Sequence, residues 1–219
     1  MGDAIDGAAL SAALGRVAAY MATQRDYLTR LDAAVGDGDL GLTIAKGGSA
    51  LHEYLAANEP GDDLGKFLIG MGMAFNRAAS STMGTLIATA LMRAGKEARG
   101  QATLDAPTLA RMAQAADVGI QERGKAKPGD KTVVDALHPA AEALAGEIAR
   151  GEGLTAAGQA ALAAARQGRD AVIPSRSKIG RAAWVGERTE GQPDPGTVLF
   201  VHILEVLLSE ALSEPGSTG

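Results

Sequence analysis

The sequence predicts an all-α protein folded as a single domain. Apolar residues recur at the spacing of one helix face in segment after segment, and no apolar-polar alternation lasts more than a few positions. Gly, Pro and short polar clusters divide the chain at intervals that leave seven or eight helices. With 219 residues, 46% of them hydrophobic, the chain can bury one substantial core, and neither a composition shift nor a fixed-period repeat marks a domain boundary. Aromatic residues make up only 3% of the chain while Ala and Gly are abundant, so Leu, Ile, Val and Met must fill the space between closely approaching, Ala-rich helices.

The elements follow in order. Leu10, Leu14, Val17, Ala18 and Met21 lie on one face of a helix from Ala8 to Tyr27, and Tyr27 to Asp32 continues it or adds a turn. Val35-Gly36-Asp37-Gly38-Asp39 is a loop, because two glycines between aspartates suit a tight turn, and Asp39 is placed to cap the helix that follows. That helix spans Leu40 to Ala57 and stops at Asn58-Glu59-Pro60-Gly61; the next spans Asp63 to Ala78. Ser80-Ser81-Thr82 opens a helix to about Ala98, and Asp105-Ala106-Pro107 opens one from Pro107 to Glu122. After the loop Gly124 to Asp130, a helix from Lys131 to Arg150 is expected to kink or break at Pro139. Leu154 to Gln167 is helical, Ile173 to Pro195 is a long loop with at most a helical turn, and Thr197 to Leu212 is the last helix. Residues 1–212 are thus expected to form the domain and 213–219 a frayed tail.

Composition removes several kinds of chemistry. The absence of Cys excludes a disulfide scaffold, a thiolate zinc site and a cysteine nucleophile. A net charge of -5 without a basic stripe argues against a nucleic-acid surface. The acidic start Met1 to Asp6 does not read as a signal peptide, and a cytoplasmic location is expected. The most apolar stretch, Val198 to Leu208, contains His202 and Glu205 and is too short to span a membrane, so it reads as a buried helix. His52, His138 and His202 stand alone on helical stretches and read as core or surface residues, not as catalysts.

Four stretches remain that can carry chemistry. Asp32, Asp37 and Asp39 place three carboxylates within a short loop, where like charges repel unless a cation gathers them; hard oxygen ligands without His or Cys suit Mg²⁺, which completes its shell with waters and phosphates. The alternative is that Asp37 and Asp39 serve the turn and the cap while Asp32 lies on the surface. Ser80 to Thr85 sits at a helix N-terminus that can receive an anion or simply be capped. Lys125 to Thr132 can offer basic side chains and a bend of backbone to a phosphate or a base, or simply be a solvated loop; it lacks P-loop spacing and follows a helix. Lys178 to Arg188, with the only Trp and two Arg, precedes Asp194-Pro195-Gly196 and looks like a lid or a partner surface, the alternative being an ordinary surface excursion.

At these motifs the chain resembles the L subunit of dihydroxyacetone kinases, also the C-terminal domain of the single-chain enzymes. The matching strings are Leu31 to Gly41, Gly124 to Thr132, and Gly180 to Arg188 with Asp194-Pro195-Gly196, in the family's order and spacing over nearly the whole chain. The resemblance implies an antiparallel barrel of about eight amphipathic helices with a nucleotide, ATP or ADP, at one end. It implies that Asp32, Asp37 and Asp39 hold Mg²⁺ against the phosphates, and that Leu40, Gly41, Leu42 and Thr43, with Thr82, Met83 and Gly84, line them. Gly124 and Val133 would lie near the base, while Arg181 and Asp194, Pro195 and Gly196 would close over the nucleotide. No residue of this chain need be catalytic as a nucleophile.

The activity implied is transfer of phosphate from Mg·ATP to a small ketose held by a separate K-type subunit. One rival within the family keeps ADP bound and has it rephosphorylated by a phosphocarrier protein; a rival of another class is a nucleotide sensor without catalysis. The oligomeric state is open, a homodimer included. Two departures stand out. The family usually has His where this chain has Leu40, and a Gly-Gly-(Ala/Thr)-Ser-Gly string where it reads Ser80-Ser81-Thr82-Met83-Gly84. Both remove polar groups near the phosphates, which points to a different sugar, such as a tetrulose like erythrulose, or to changed nucleotide handling.

Overall fold

The computed structural model describes residues 4–213, with side chains placed through Ser209. The expected tail, 213–219, lies outside the described residues except for Ser213. Nine α-helices and one 3-10 helix account for the described fold: α1 (Gly7–Thr23), α2 (Arg25–Ala33), α3 (Leu40–Ala57), α4 (Leu64–Ala78), α5 (Thr82–Glu97), α6 (Ala106–Gly124), α7 (Val134–Ala149), α8 (Leu154–Ala171) and α9 (Pro195–Ser213), with the 3-10 turn at Arg181–Thr189. None of the described helices is long and apolar enough to cross a membrane.

Helix neighbours close a ring. In the order α1, α3, α4, α5, α6, α7, α8, α9 each helix packs on the next, and α9 returns to α1; the short α2 is an additional element that packs on α3, α9 and α1. Sequential helices pack side by side, α1 and α3 across α2 and α8 and α9 across the 172–194 segment, giving an antiparallel eight-helix barrel with one extra helix. Every second helix therefore begins at the same end, and the N-termini of α3, α5, α7 and α9 meet there.

Local chemistry explains where the helices start. Asp6 accepts a hydrogen bond from Ala9 N (2.8 Å), Asp63 from Lys66 N (2.9 Å), Ser81 from Gly84 N (3.1 Å), Asp105 from Thr108 N (2.9 Å) and Asp194 from Thr197 N (2.8 Å). Each satisfies an amide that the helix itself leaves unpaired. Asp39 departs from this pattern: it occupies the position before α3 but makes no side-chain cap, and Asp32 Oδ2 instead accepts from Leu40 N at 3.2 Å.

Three details differ from the sequence expectation. The first helical segment breaks at Gln24, so Ala8 to Asp32 is two helices and not one. Two three-residue strands, β1 (Ala4–Asp6) and β2 (Thr103–Asp105), pair antiparallel with Ile5 opposite Leu104. Three residues are too few to show a period of two, and here the pairing ties the capping residues of α1 and α6 together. Finally, of the kink or break expected at Pro139 the break does not occur, and α7 runs through this residue. The carbonyl that Pro139 cannot engage is that of Asp135, and α8 approaches it so closely that a Cβ at Gly168 would overlap the Asp135 oxygen. The absence of a side chain lets α8 close against this early turn.

The core has a main cluster around Leu28, Ile44, Leu64, Met71 and Phe75, a second between α7, α8 and α9, and a third around Leu86, Ile120 and Val134. Its helices approach on glycines: Gly65 and Gly95 bring α4 and α5 together, where either Cβ would meet the other helix's backbone. Of the stretch Val198 to Leu208, read as buried, only the first part is so; Val198, Leu199 and Val201 are inside, whereas Leu207 is 36% exposed.

Candidate metal and nucleotide site

A cavity of about 540 Å³ opens at the barrel end where α3, α5, α7 and α9 begin, a size within the usual range for a small-molecule site. Its walls come from the α2–α3 loop, the first turn of α5, the end of α6 at Gly124, the approach to α7 and the loop before α9. Four helix dipoles present their positive ends there, which favours an anion.

On one side of the mouth, Asp32, Asp37 and Asp39 each offer a carboxylate oxygen, and the three oxygens lie within 4.8 Å of one another. The backbone forces this gathering. Asp32 closes the last turn of α2, its carbonyl accepting from Val35 N (3.0 Å) and Gly36 N (2.6 Å), and Gly38 then reverses the chain at φ +76°. Burial, together with the negative charge of Asp32, raises the Asp39 carboxyl above its ordinary range. The nearby cation is Arg181, which reaches from the distant 3-10 segment to pair with Asp37 and with Asp39 Oδ2 (3.1 Å). All three side chains of this contact are about half exposed, and such pairs contribute at most about 1 kcal/mol. Carboxylates alone, close enough to repel and held by a weak cross-link, form a donor set that fits a divalent ion of Mg²⁺ type.

The rest of the cavity is largely apolar, with Met83, Leu86, Ile120, Val133 and Ile179 among its walls. Thr82, Gly124, Asp194, Pro195 and Gly196 also line it, whereas Gly41, Leu42, Thr43 and Gly84 lie outside the lining. Each of these four has a visible packing or surface role. A Cβ at Gly41 would overlap the Arg25 carbonyl oxygen and Thr29, and one at Gly84 would overlap the Ala79 carbonyl oxygen. Thr43 is buried and donates to Ser81 Oγ (3.0 Å), and Leu42 is 41% exposed on a shallow groove with Arg25 and Lys46. Leu40 is buried in the main core cluster, so the polar group absent at this position is replaced by packing. Met83 touches two clusters, and a Cβ at Gly196 would come within 3.1 Å of its methyl carbon.

Sequence patterns missed the fate of Lys131. Read with its neighbours as part of a solvated loop, or as a basic group offered to a phosphate, its side chain is instead only 2% exposed and bound to backbone carbonyls. Asp135 and Asp130 hold this loop, accepting from Gly129 N (2.5 Å), Thr132 N (2.7 Å) and Lys127 N (2.9 Å). The histidines are structural or exposed: His138 Nδ1 meets Asp117 at 2.7 Å, His202 Nδ1 meets the Tyr20 hydroxyl at 2.7 Å, and His52 is exposed.

Burial pushes the Asp194 carboxyl up to about 7, with the charge of Asp135 adding to the shift; the Thr197 amide and Lys131 oppose it. A carboxyl that titrates near 7 folded and near 3.8 unfolded stabilises the fold fully below about pH 4 and loses that contribution as pH rises to about 7. Asp194→Asn keeps the oxygen that caps α9 and removes the charge. Thermal melts from pH 4.5 to 8 should therefore fall less steeply for the variant, by on the order of 1–2 kcal/mol across the window for this partly exposed group. Parallel slopes for the two proteins would refute the assignment.

Comparison with known proteins matches residues 34–209 to the DAK2 domain. The chain is 31% identical over 194 residues to the ADP-binding subunit DhaL of a PEP-dependent dihydroxyacetone kinase from Escherichia coli, covering 89% of this chain and 92% of that one. It is 35% identical over 185 residues to a D-erythrulose kinase of Mycolicibacterium smegmatis, covering 84% of this chain but 32% of that enzyme. The fold superposes with a TM-score of 0.67 on the C. freundii dihydroxyacetone kinase crystallised with AMP-PNP and Mg²⁺, at 23% identity, covering 91% of this chain and 33% of that one. The chain thus spans nearly all of the separate subunit and about a third of the single-chain enzymes. With the domain match extending over most of its length, the chain belongs to the DAK2-domain family.

Proposed function

We propose that this chain is the nucleotide-binding part of a kinase for a small ketose such as dihydroxyacetone or erythrulose, and that it presents a Mg²⁺-bound nucleotide to a K-type partner holding the sugar. The observation that carries the reading is the juxtaposition of three carboxylate oxygens within 4.8 Å with a cavity of about 540 Å³. Asp32, Asp37 and Asp39 would hold the ion. When bound, Mg²⁺ supplies neutralisation of the charge on the polyphosphate. Leu40, Thr82 and Met83, at the starts of α3 and α5, line the phosphate end, while Gly124 and Val133, with Leu86 and Ile120, offer an apolar slot to the base. Arg181 and the Asp194–Gly196 turn border the opening on the other side. Since no nucleophile of this chain is needed, its contribution is positioning and electrostatics. Support comes from relatives named as kinases of dihydroxyacetone and of erythrulose.

Calorimetric titration of ADP with and without Mg²⁺ tests the site. Affinity should rise by at least about tenfold with the ion, equivalent to about 1.4 kcal/mol. Equal affinities, or no binding, would remove the basis for the assignment.

A second reading, in which ADP stays bound and a phosphocarrier protein rephosphorylates it, is favoured by one finding: the relative matched along 92% of its length is named a PEP-dependent, ADP-binding subunit. Incubating the chain with ATP, a K-type subunit and the ketose separates the two. Sugar phosphate formed from ATP alone supports the first, and product only when a phosphocarrier is added supports the second.

A further inference from the structure

Lys131 carries a positive charge into the protein without a carboxylate at ion-pair distance among the described residues. It is only 2% exposed, and its ammonium donates to the carbonyl oxygens of Ile173 (2.9 Å), Ser175 (2.8 Å) and Thr189 (2.5 Å). Three acceptors saturate its three N–H bonds. The backbone of Lys131 also takes the left-handed conformation, φ +60°, uncommon for a residue with a side chain. A charge buried in this way persists where carbonyl dipoles replace the lost water.

The arrangement of the acceptors is informative. All three belong to the segment between α8 and α9, two on its outgoing limb and one on its returning limb. The ammonium thus pinches the base of a loop. Hydrogen bonds from Gly191 N to Ile173 O (2.9 Å) and from Ser177 N to Thr189 Oγ1 (3.0 Å) join the same limbs, and Lys178 Nζ reaches Gly129 O (2.7 Å). Beyond the pinch lies the flap that carries Arg181 onto Asp37 and Asp39, together with Trp184, 88% exposed. The flap's other ties are exposed ion pairs from Arg176 to Glu187 (3.1 Å) and Glu190 (2.9 Å) and the bond from Lys178 N to Asp130 O (3.1 Å), while Gly180 and Gly186 take positive φ and Arg181 is half exposed. Its position over the carboxylates therefore depends on how its two ends are held.

We propose that Lys131 is a positioning residue, an internal cation that closes the base of the 173–191 loop and so holds Arg181 at the three-carboxylate mouth, where the flap covers a bound Mg²⁺-nucleotide. The clamp stands on the geometry of this chain; its effect on ligand rests on the function proposed above.

The test compares Lys131→Met with the intact chain, with and without Arg181→Gln. In the absence of nucleotide, trypsin should cut between Arg176 and Arg188 about tenfold faster in Lys131→Met, and the fluorescence anisotropy of Trp184, the only Trp, should fall. Affinity for Mg·ADP should drop about tenfold in the Arg181 background but less than about twofold in the Arg181→Gln background, because the clamp acts through that side chain. Unchanged cleavage and anisotropy, or equal affinity losses in both backgrounds, would overturn the proposal. Should Lys131→Met lack a cooperative melt, Lys131→Gln, which retains a donor, takes its place; if neither folds, Lys131 is a general core element and the proposal fails. An intact chain that binds no Mg·ADP would count against the proposed function, while cleavage and anisotropy would still judge the clamp.

Discussion

Asp37→Ala is expected to lower Mg²⁺-dependent affinity for ADP by on the order of 100-fold, about 2.7 kcal/mol, while leaving the barrel as stable as before. The two halves of this expectation have one cause. Asp37 is about half exposed, packs against no core cluster and lies in a loop where it adds to the repulsion within a triad of carboxylates. Its removal costs the fold only a surface pair with Arg181, and relieves like-charge repulsion. An ion bound by three carboxylates would lose one of its direct ligands and a full unit of opposing charge. Calorimetry with ADP and Mg²⁺, beside a thermal melt, gives both values. A variant that binds Mg·ADP as tightly as the intact chain would show that the aspartates are turn residues and nothing more, whereas loss of binding together with a collapse in melting temperature would assign Asp37 to structure.

Phe75→Ala is expected to produce the largest loss of stability among single core substitutions, about 3–5 kcal/mol, or roughly 10 °C in melting temperature for a chain of this size. Phe75 is completely buried, and its ring occupies the space left by a glycine on the neighbouring helix: a Cβ at Gly47 would overlap three of the ring carbons. Large side chains are scarce here, with three Phe and one Trp in 219 residues. Close-packed neighbours such as Ile44, Leu64 and Met71 are themselves fully buried, so the surroundings can relax only in part and a cavity would persist. Differential scanning calorimetry measures the shift. A change below 1 kcal/mol would mean that α3 and α4 close together on removal of the ring, and that the glycine contact is not a fixed feature of the packing.

Much of the helical framework was legible in local patterns. α3 has the expected bounds, and α4, α5 and α6 start within a residue or two of theirs, because a capping Asp or Ser and an apolar period act over three or four residues. The break at Gln24 and the short β1–β2 pair were not legible, since neither leaves a periodic trace. The continuity of α7 through Pro139 was hidden for another reason: the Asp135 carbonyl, which Pro139 cannot engage, lies against Gly168 of α8, a contact supplied by a different part of the chain. At the site, the three aspartates could be picked out by composition and spacing, and the structure gathers them. The residues around them could not be sorted so easily. Leu40 and Gly41 are adjacent, yet one lines the cavity and the other packs on α2.

Sequence by itself determined that the chain is helical, where most helices begin and end, and that oxygen chemistry from one acidic loop is available, because each of these follows from interactions among near neighbours. Tertiary structure alone decided that the helices close into a ring, that the apolar walls of Leu86, Ile120 and Val133 face the acidic loop, and that the charge of Lys131 goes inward. It also brought Arg181 to Asp39 across 142 positions. Contacts at such separations depend on how whole helices pack, and no pattern of a few residues encodes which distant surface will arrive beside it.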